Sequence, residues 1–231
     1  MRTDRQLNSN KHGYTLLEIM ISIFIFAIII TTILVSYQAV FFKSDTIDAG
    51  MDLYTMAGSC LNRLAVDISG IAIRLPPRYR KPETDAEPDP YRIVGDASSL
   101  TGVSFSRLRF ASRSHASLDG AGRTGITEIV YYINEDRDGN LVLRRRDRLY
   151  PFEHPQEETQ DPVVCEHLKS LMFTYYDTDG ELYESWESES EDQGYATPKA
   201  IQVKLEIGRT ESESFVFDTL LTLPVLRDAI E

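Results

Sequence analysis

The sequence predicts an α+β protein in which one long N-terminal helix packs on antiparallel β-sheet. Three observations carry that expectation. Residues Ile19 to Val35 form a seventeen-residue run without a charge. Apolar residues then recur every three or four positions as far as Leu75, where Pro76-Pro77 stops the pattern. From Ser104 onward the chain turns to short alternating segments joined by Asp-Gly turns.

The apolar run comes first. As a helix rising 1.5 Å per residue it would cover about 26 Å, close to the hydrocarbon thickness of a bilayer. Tyr14, Thr15, Leu16 and Leu17 extend it at the N-terminal end, and the segment SYQAVFF places aromatic residues where a membrane interface would lie. A cleavable secretory signal would need a small-x-small site after the run, and no such site stands out. Charge is distributed unevenly around it. Residues 1–13 carry +2 and residues 14–44 carry none, so of the chain's net −12 the remaining residues hold −14. A basic head, an apolar run and an acidic body predict a single span with its N-terminus in the cytoplasm and its body exported. The same charge argues against a nucleic-acid partner for the body.

Glu18 is out of place in such a segment. An ionised carboxylate in the bilayer costs on the order of 2.5–3.5 kcal/mol, so it is expected to have a partner and a function. The nearest cation would be an amine created by cleavage before Tyr14. Gly13 suits a cleavage site, since without a Cβ its backbone can enter a peptidase cleft and interrupt helix continuity.

The amphipathic helix follows, with a stripe at Ile47, Met51, Tyr54, Ala57, Leu61, Leu64, Ile68, Ile71 and Leu75. Asp48, Asp52, Asn62, Arg63, Asp67 and Arg74 fall on other faces. A coiled coil is the rival reading, but paired e/g charges are missing and a head domain follows that needs a helix to cover it. Pro76 to Pro90 holds five of the ten prolines and reads as an exposed loop, with Arg78, Arg80 and Lys81 solvated or facing lipid or a partner. These boundaries give a leader at 1–13, an apolar helix at 14–42, an amphipathic helix at 43–75 and a β-rich head at 76–231.

Within the head, strands are expected at Phe105–Ala111, Ile126–Ile133, Leu141–Arg146, Leu168–Asp177, Glu181–Trp186, Ala200–Ile207 and Phe215–Leu223. Its candidate chemistry is thin. Gly120-Ala-Gly122-Arg-Thr-Gly125 matches a phosphate-loop spacing, yet a strand follows it, so no helix N-terminus is there to cradle phosphate. Asp136-Arg-Asp138-Gly and Asp177-Thr-Asp179-Gly start like calcium loops but lack the distal bidentate Glu, and ordinary Asp-Gly turns explain them. The run Glu187 to Asp192 reads as a solvated loop. His115, His154 and His167 are scattered, with no ligand spacing or nucleophile nearby. Cys60 and Cys165 show no CxxC or His cluster; they could form one disulfide if the body is exported, or stay as buried thiols. No cofactor, metal or catalytic constellation is expected.

His12-Gly13-Tyr14-Thr15-Leu16-Leu17-Glu18 closely resembles the type IV prepilin signature of Gly, an aromatic, Thr-Leu-aliphatic and Glu. The resemblance implies a pilin-like fold, a cut after Gly13 by a membrane prepilin peptidase, N-methylation of Tyr14, and retention of the apolar helix as a filament core. Glu18 would then neutralise the N-terminal amine of a neighbouring subunit. A second resemblance lies in the head. Leu108-Arg-Phe-Ala-Ser112 with His115, Val130-Tyr-Tyr132, Leu143-Arg-Arg145, Leu171-x-Phe-x-Tyr-Tyr-Asp177 with Gly180 and Trp186, Pro198 to Leu205 and Leu221-Thr-Leu-Pro224 look like the J-type minor pseudopilins of type II secretion.

That resemblance implies a subunit of the pseudopilus tip complex, which primes filament assembly at the inner membrane for export of folded proteins. Its implied partners are the I-, K- and H-type minor pseudopilins, the major pseudopilin, the prepilin peptidase, the inner-membrane assembly platform and membrane lipid. A minor pilin of a type IV pilus or competence system is the nearer alternative, and a single-span periplasmic enzyme or sensor the more distant one.

Overall fold

In the computed structural model of the chain, which describes residues 14–83, 87–100, 103–116, 124–151, 161–210 and 213–230, one helix, α1, spans Leu16–Ser69. The chain divides into two compact units, Met1–Met51 and Asp52–Glu231, and α1 runs through the boundary.

In the first unit, Leu16–Gln38 is a 23-residue stretch of mean hydropathy 2.8 with none of its surface covered by the rest of the chain. Isoleucine and phenylalanine side chains stand out on all sides of it, Phe24 at 67% exposure and Ile33 at 58%. Its few polar side chains bond back to their own helix. Ser22 Oγ donates to the Glu18 carbonyl at 2.7 Å, Thr31 Oγ1 to Ala27 at 2.7 Å and Thr32 Oγ1 to Ile29 at 2.8 Å. Such internal pairing is what a helix in hydrocarbon needs.

In the second unit, ten strands of the described residues make one mixed sheet: β1 (Val94–Leu100), β2 (Val103–Ser112), β3 (Thr127–Glu135), β4 (Leu141–Leu149), β5 (Val163–Cys165), β6 (Leu168–Tyr176), β7 (Leu182–Tyr183), β8 (Trp186–Glu187), β9 (Ala200–Thr210) and β10 (Glu213–Thr222). The main path runs β10-β9-β6-β2-β3-β4-β5, with β1 between β2 and β8 and with β7 on β6. Every pairing is antiparallel except β2 with β6, which meet in parallel at Phe105 and Leu171. Hairpins link β3 to β4 and β9 to β10, whereas β6 pairs β9 across the excursion that carries β7 and β8.

The helix stripe is real but rotated. The fully buried positions are Leu53, Ala57, Cys60, Leu64, Ile68 and Ile71, while Met51 and Tyr54 are 64% and 52% exposed. The expected stripe repeats every 3.5 residues over 47–75, and a straight helix of 3.6 residues per turn drifts about 20° per heptad away from such a repeat. From Leu53 to Ile68 the observed set, spaced four, three, four and four, follows the straight helix, and Ile71 lies past its end. Tyr54 is still used, at the margin of the core, where its ring lies 4.7 Å from that of Phe215 and 5.3 Å from that of Phe217.

The helix also stops at Ser69, short of Leu75. Gly70 begins an extended segment that runs beside β2. Ala72 donates to the Ala111 carbonyl at 2.9 Å and Arg113 to that of Gly70 at 2.8 Å, so sheet pairing outcompetes another helical turn. A Cβ on Gly70 would come within 2.8 Å of Ser112 Oγ, which leaves room for no other residue at this crossing.

Asp67 is the largest departure from the sequence reading, which placed it on a polar face. Its carboxylate has no exposed surface. Arg145 Nε donates to Oδ2 at 2.6 Å and Tyr131 Oη to Oδ2 at 2.5 Å. Ser114 Oγ and Arg63 Nη2 reach Oδ1 at 2.6 and 2.7 Å. Ser112 Oγ donates to the Asp67 carbonyl at 2.8 Å, so both the side chain and the backbone of this residue are tied to the sheet.

The loop after Leu75 is pinned at its ends, a correction to its reading as fully exposed. Tyr79 is 4% exposed and Asp89 8%. Arg227, itself buried, lies 3.5 Å over the Tyr79 ring and donates to the carbonyls of Tyr195, Ser188 and Arg74. The C-terminal segment thereby clamps that loop against residues 188–197.

Breaking the Asp67 cluster from one side should be costly. Replacing Arg145 by Ala strands a buried carboxylate, a loss of about 3–5 kcal/mol, or roughly 10 °C in Tm for a unit of this size. The double change Asp67→Leu with Arg145→Met should recover only part of it, because Asp147 still loses Arg145 and the buried Tyr131 hydroxyl loses its acceptor. Thermal unfolding of the detergent-solubilised protein, followed by near-UV circular dichroism, measures both.

Candidate functional site: the N-terminal segment

The described chain begins at Tyr14, so Gly13 and the basic leader lie outside the described residues. Tyr14 is 81% exposed. Thr15 is the N-cap of α1: its Oγ1 accepts from the Glu18 N–H at 3.3 Å, and its carbonyl accepts from Glu18 and Ile19 at 3.1 and 3.3 Å. Thr-x-x-Glu is the sequence of a capping box, and Glu18 in the first turn also suits the positive end of the helix dipole. A local role for Glu18 is therefore built into the residues expected from the sequence to serve assembly. Its carboxylate has no side-chain partner among the described residues and is exposed. Among the described residues the segment thus presents a capped N-terminal turn, an open carboxylate and an apolar helix uncovered on every side.

The head holds no comparable open constellation in the described residues; its polar groups turn inward onto one another. Asp136 Oδ1 accepts from the N–H groups of Asp138 and Asn140 at 2.8 Å each, and Asp177 Oδ1 from those of Asp179 and Glu181 at 2.9 and 2.8 Å. Both carboxylates are thus spent on their own turns, with Gly139 and Gly180 at positive φ closing each. The N–H of Asn140 is the main reason the Asp136 carboxyl sits below its ordinary range. No group of three His, Cys, Asp or Glu side chains placed to hold a metal occurs among the described residues. Most of the Gly120–Gly125 motif lies outside the described residues, and β3 follows it.

The acidic run is more embedded than a solvated loop. Glu187 is half-buried beside Arg92, and burial pushes its carboxyl up. Glu189 Oε2 accepts from the Asp89 N–H at 2.7 Å, and Ser190 caps the 3-10 turn Glu191–Gln193. His154 lies outside the described residues, and His167 stands at positive φ between β5 and β6. His115 is engaged: Nδ1 lies 2.8 Å from Asp147 Oδ1, and Asp147 also receives the Ala116 N–H, Arg145 Nη1 and the Thr127 hydroxyl. Arg145 therefore joins Asp67 and Asp147 into one cluster across α1, β3 and β4. Sequence reading missed both aspartates and the arginine. The available signal was an arginine two positions after Leu143 on β4, hence on the same inward face and directly across from Tyr131.

The exposed apolar helix with its capped N-terminal turn, followed by an independently cored β-rich unit, is matched by two families. The family described as prokaryotic N-terminal methylation motif covers residues 8–34. The family described as type II secretion system (T2SS), protein J covers residues 37–218, well over half of the chain. The chain belongs to the T2SS protein J family. No curated protein matches it. As a T2SS minor pseudopilin it is a structural, membrane-anchored protein that interacts with other components of the pseudopilus. The methylation-motif match covers Gly13, Tyr14 and Glu18, and the protein J match takes in the lower half of α1, the Asp67–Arg145–Asp147 cluster and all strands up to β10.

Within the cluster, Asp147 should contribute to the acid sensitivity of this pseudopilin's head. Burial pushes the Asp147 carboxyl up, but the donors from Ala116, Thr127, His115 and Arg145 outweigh it and hold it below its ordinary value. A carboxylate depressed in the folded state stabilises fully above its unfolded pKa of about 4, and that contribution is lost as pH falls through the native value. The urea midpoint should therefore fall as pH is lowered from about 5 toward 3, with a shallower fall in Asp147→Asn. Equal slopes in the two proteins would show that Asp147 does not supply the dependence.

Proposed function

We propose that this protein is a subunit of the pseudopilus tip complex, processed by cleavage after Gly13 and methylation of Tyr14, with Glu18 guiding its docking to neighbouring subunits. The observation that carries the reading is Glu18 itself. It is a carboxylate at the first turn of a helix of mean hydropathy 2.8, and it has no side-chain partner among the described residues. In an apolar surrounding that group needs a cation. A methylated amine on Tyr14 of an adjacent subunit keeps its positive charge and supplies one as the apolar helices pack together. The cut after Gly13 is what creates that amine.

The leader at 1–13 stays in the cytoplasm, residues 14–42 form the membrane and filament-core helix, 43–75 the proximal amphipathic segment, and 76–231 the periplasmic head. Its basic leader and acidic body favour insertion in the inner membrane with that orientation. The partners are then the I-, K- and H-type minor pseudopilins, the major pseudopilin, the prepilin peptidase and the assembly platform. A non-catalytic role is supported by the way the head's buried ionisable groups pair with each other. Neither of the two cavities described, one near Arg74 and Arg113 and one near Asp177 and Trp186, is lined by Asp67, Arg145 or Asp147.

Two variants test this in the producing cell. Gly13→Ala should abolish processing, leaving a membrane-extracted protein whose intact mass retains the leader; product beginning at Tyr14 in that variant would sink the processing assignment. Glu18→Ala should still be cleaved but lose crosslinks to its neighbours by about tenfold or more, the factor that roughly 1.4 kcal/mol supplies. Undiminished crosslinking would remove Glu18 from assembly.

A further inference from the structure

We infer that Cys60 and Cys165 are joined as a disulfide in the exported protein, formed while the head folds and sealed when its core closes. The inference rests on the reading that the head lies in the periplasm, an oxidising compartment.

The placement of the two residues carries it. They are 105 positions apart and are the only cysteines in the chain. Cys60 occupies the centre of the buried face of α1, between Ala57 and Leu64, and is 0% exposed. Cys165 ends β5, opposite Leu143 of β4, and is 1% exposed. The fold brings the two thiols within hydrogen-bonding reach of each other inside a single apolar cluster. Both are free thiols in this structure; their contact and burial push the Cys60 thiol up, while the same contact holds the Cys165 thiol below its ordinary value. No third metal ligand stands beside them among the described residues.

The strand involved gains from such a link. β5 has three residues, ends the main path of the sheet, and pairs with β4 at two positions across a register shift. It holds its place by few ladder bonds, and a bond to α1 would fix it to the element that organises the core. Closing a loop of this length also removes much of the freedom of the unfolded chain.

Burial sets the order of events. No oxidant reaches two sulfurs with 0% and 1% exposure, so oxidation precedes closure of the core. The thiolate of one cysteine attacks the disulfide of a protein dithiol oxidase, giving a mixed disulfide and releasing one oxidase thiolate. The second cysteine's thiolate then displaces the remaining oxidase sulfur. Two electrons pass to the oxidase, whose disulfide becomes a dithiol, and the two thiol protons of the pair are released to solvent and to the departing oxidase thiolates.

The test uses the full-length protein extracted from the membranes of producing cells, denatured in a thiol-alkylating reagent with and without prior reduction, and read by intact mass. Without reduction it should carry no adduct and weigh about 2 Da less than the dithiol form; after reduction it should carry two adducts. Single variants Cys60→Ala and Cys165→Ala should each carry one adduct without reduction. Cells lacking the dithiol oxidase should yield two. Protease digestion of spheroplasts on the same preparation locates the head. Two adducts on unreduced wild-type protein whose head is digested would overturn the disulfide while leaving export intact. Two adducts with a protected head would overturn both.

Discussion

Asp67 sits in the last turn of α1, the end of the helix where a negative charge is unfavourable, and the helix has no basic residue there to offset it. What makes the position tenable is mostly tertiary: Arg145 from β4, Tyr131 from β3 and Ser114 from the segment after β2, joined by Arg63 one turn back on the same helix. A buried charge with one partner is a poor bargain, but this carboxylate receives enough donors to saturate both oxygens. The consequence is geometric. The end of α1 can be in only one place relative to β3 and β4, and Ser112 fixes its final carbonyl as well. Gly70 and the crossover onto β2 follow from that anchor, as does the register that puts Tyr131 across from Arg145.

The same helix is stabilised by two different surroundings along its length. Below Gln38 it satisfies its own backbone and hydroxyl groups and offers apolar side chains outward in every direction, which is stable only in lipid or against other such helices. From Leu53 onward a single stripe is buried, and the facing sheet supplies the complement through Phe105, Leu108, Ile129, Phe173 and Leu205. A pseudopilin needs both kinds of surface, since the apolar half must be able to exchange lipid for neighbouring subunits without the head unfolding.

Much of this was legible in the residues. The unbroken run from Ile19 to Val35 needs no tertiary information, and neither do the Asp-Gly turns that close the β3–β4 hairpin and the turn after β6. Alternation located most strands to within a few residues. The failures share one cause: they concern positions where contacts distant in sequence outvote the local pattern. β1, reading Val-Gly-Asp-Ala-Ser-Ser-Leu, has almost no strand character, and it forms because β2 and β8 flank it. Gly95 on that strand is needed where the backbone passes the end of the Tyr175 side chain, with no space for a Cβ. The parallel contact between β2 and β6 joins residues 66 positions apart and leaves no local trace. Asp67 looked polar by type and spacing, and only its partner on β4 makes it a core residue. For the proposed N-terminal site the opposite holds: its whole signal is contiguous, and the fold of a lone subunit adds only the Thr15 cap.

Glu18 and Asp67 make an instructive pair, because each is a carboxylate on an apolar face of the same helix. The chain spends a buried arginine, a tyrosine hydroxyl, a serine and a second arginine on Asp67. Among the described residues none is spent on the Glu18 side chain, although the desolvation problem in a membrane is of the same kind. A fold able to assemble four donors around one carboxylate is not short of means. The difference is therefore better understood as a division between what the subunit settles alone and what it leaves to its neighbours. Asp67 must be satisfied before the head is a stable body, and its donors are covalently part of that body. Glu18 can stay open only where solvent, head groups or a cation from another chain reaches it, which confines it to the membrane boundary or to a filament. If Glu18 has the assembly role proposed for it, an open carboxylate at that position works against the isolated, deeply inserted subunit and in favour of the assembled one.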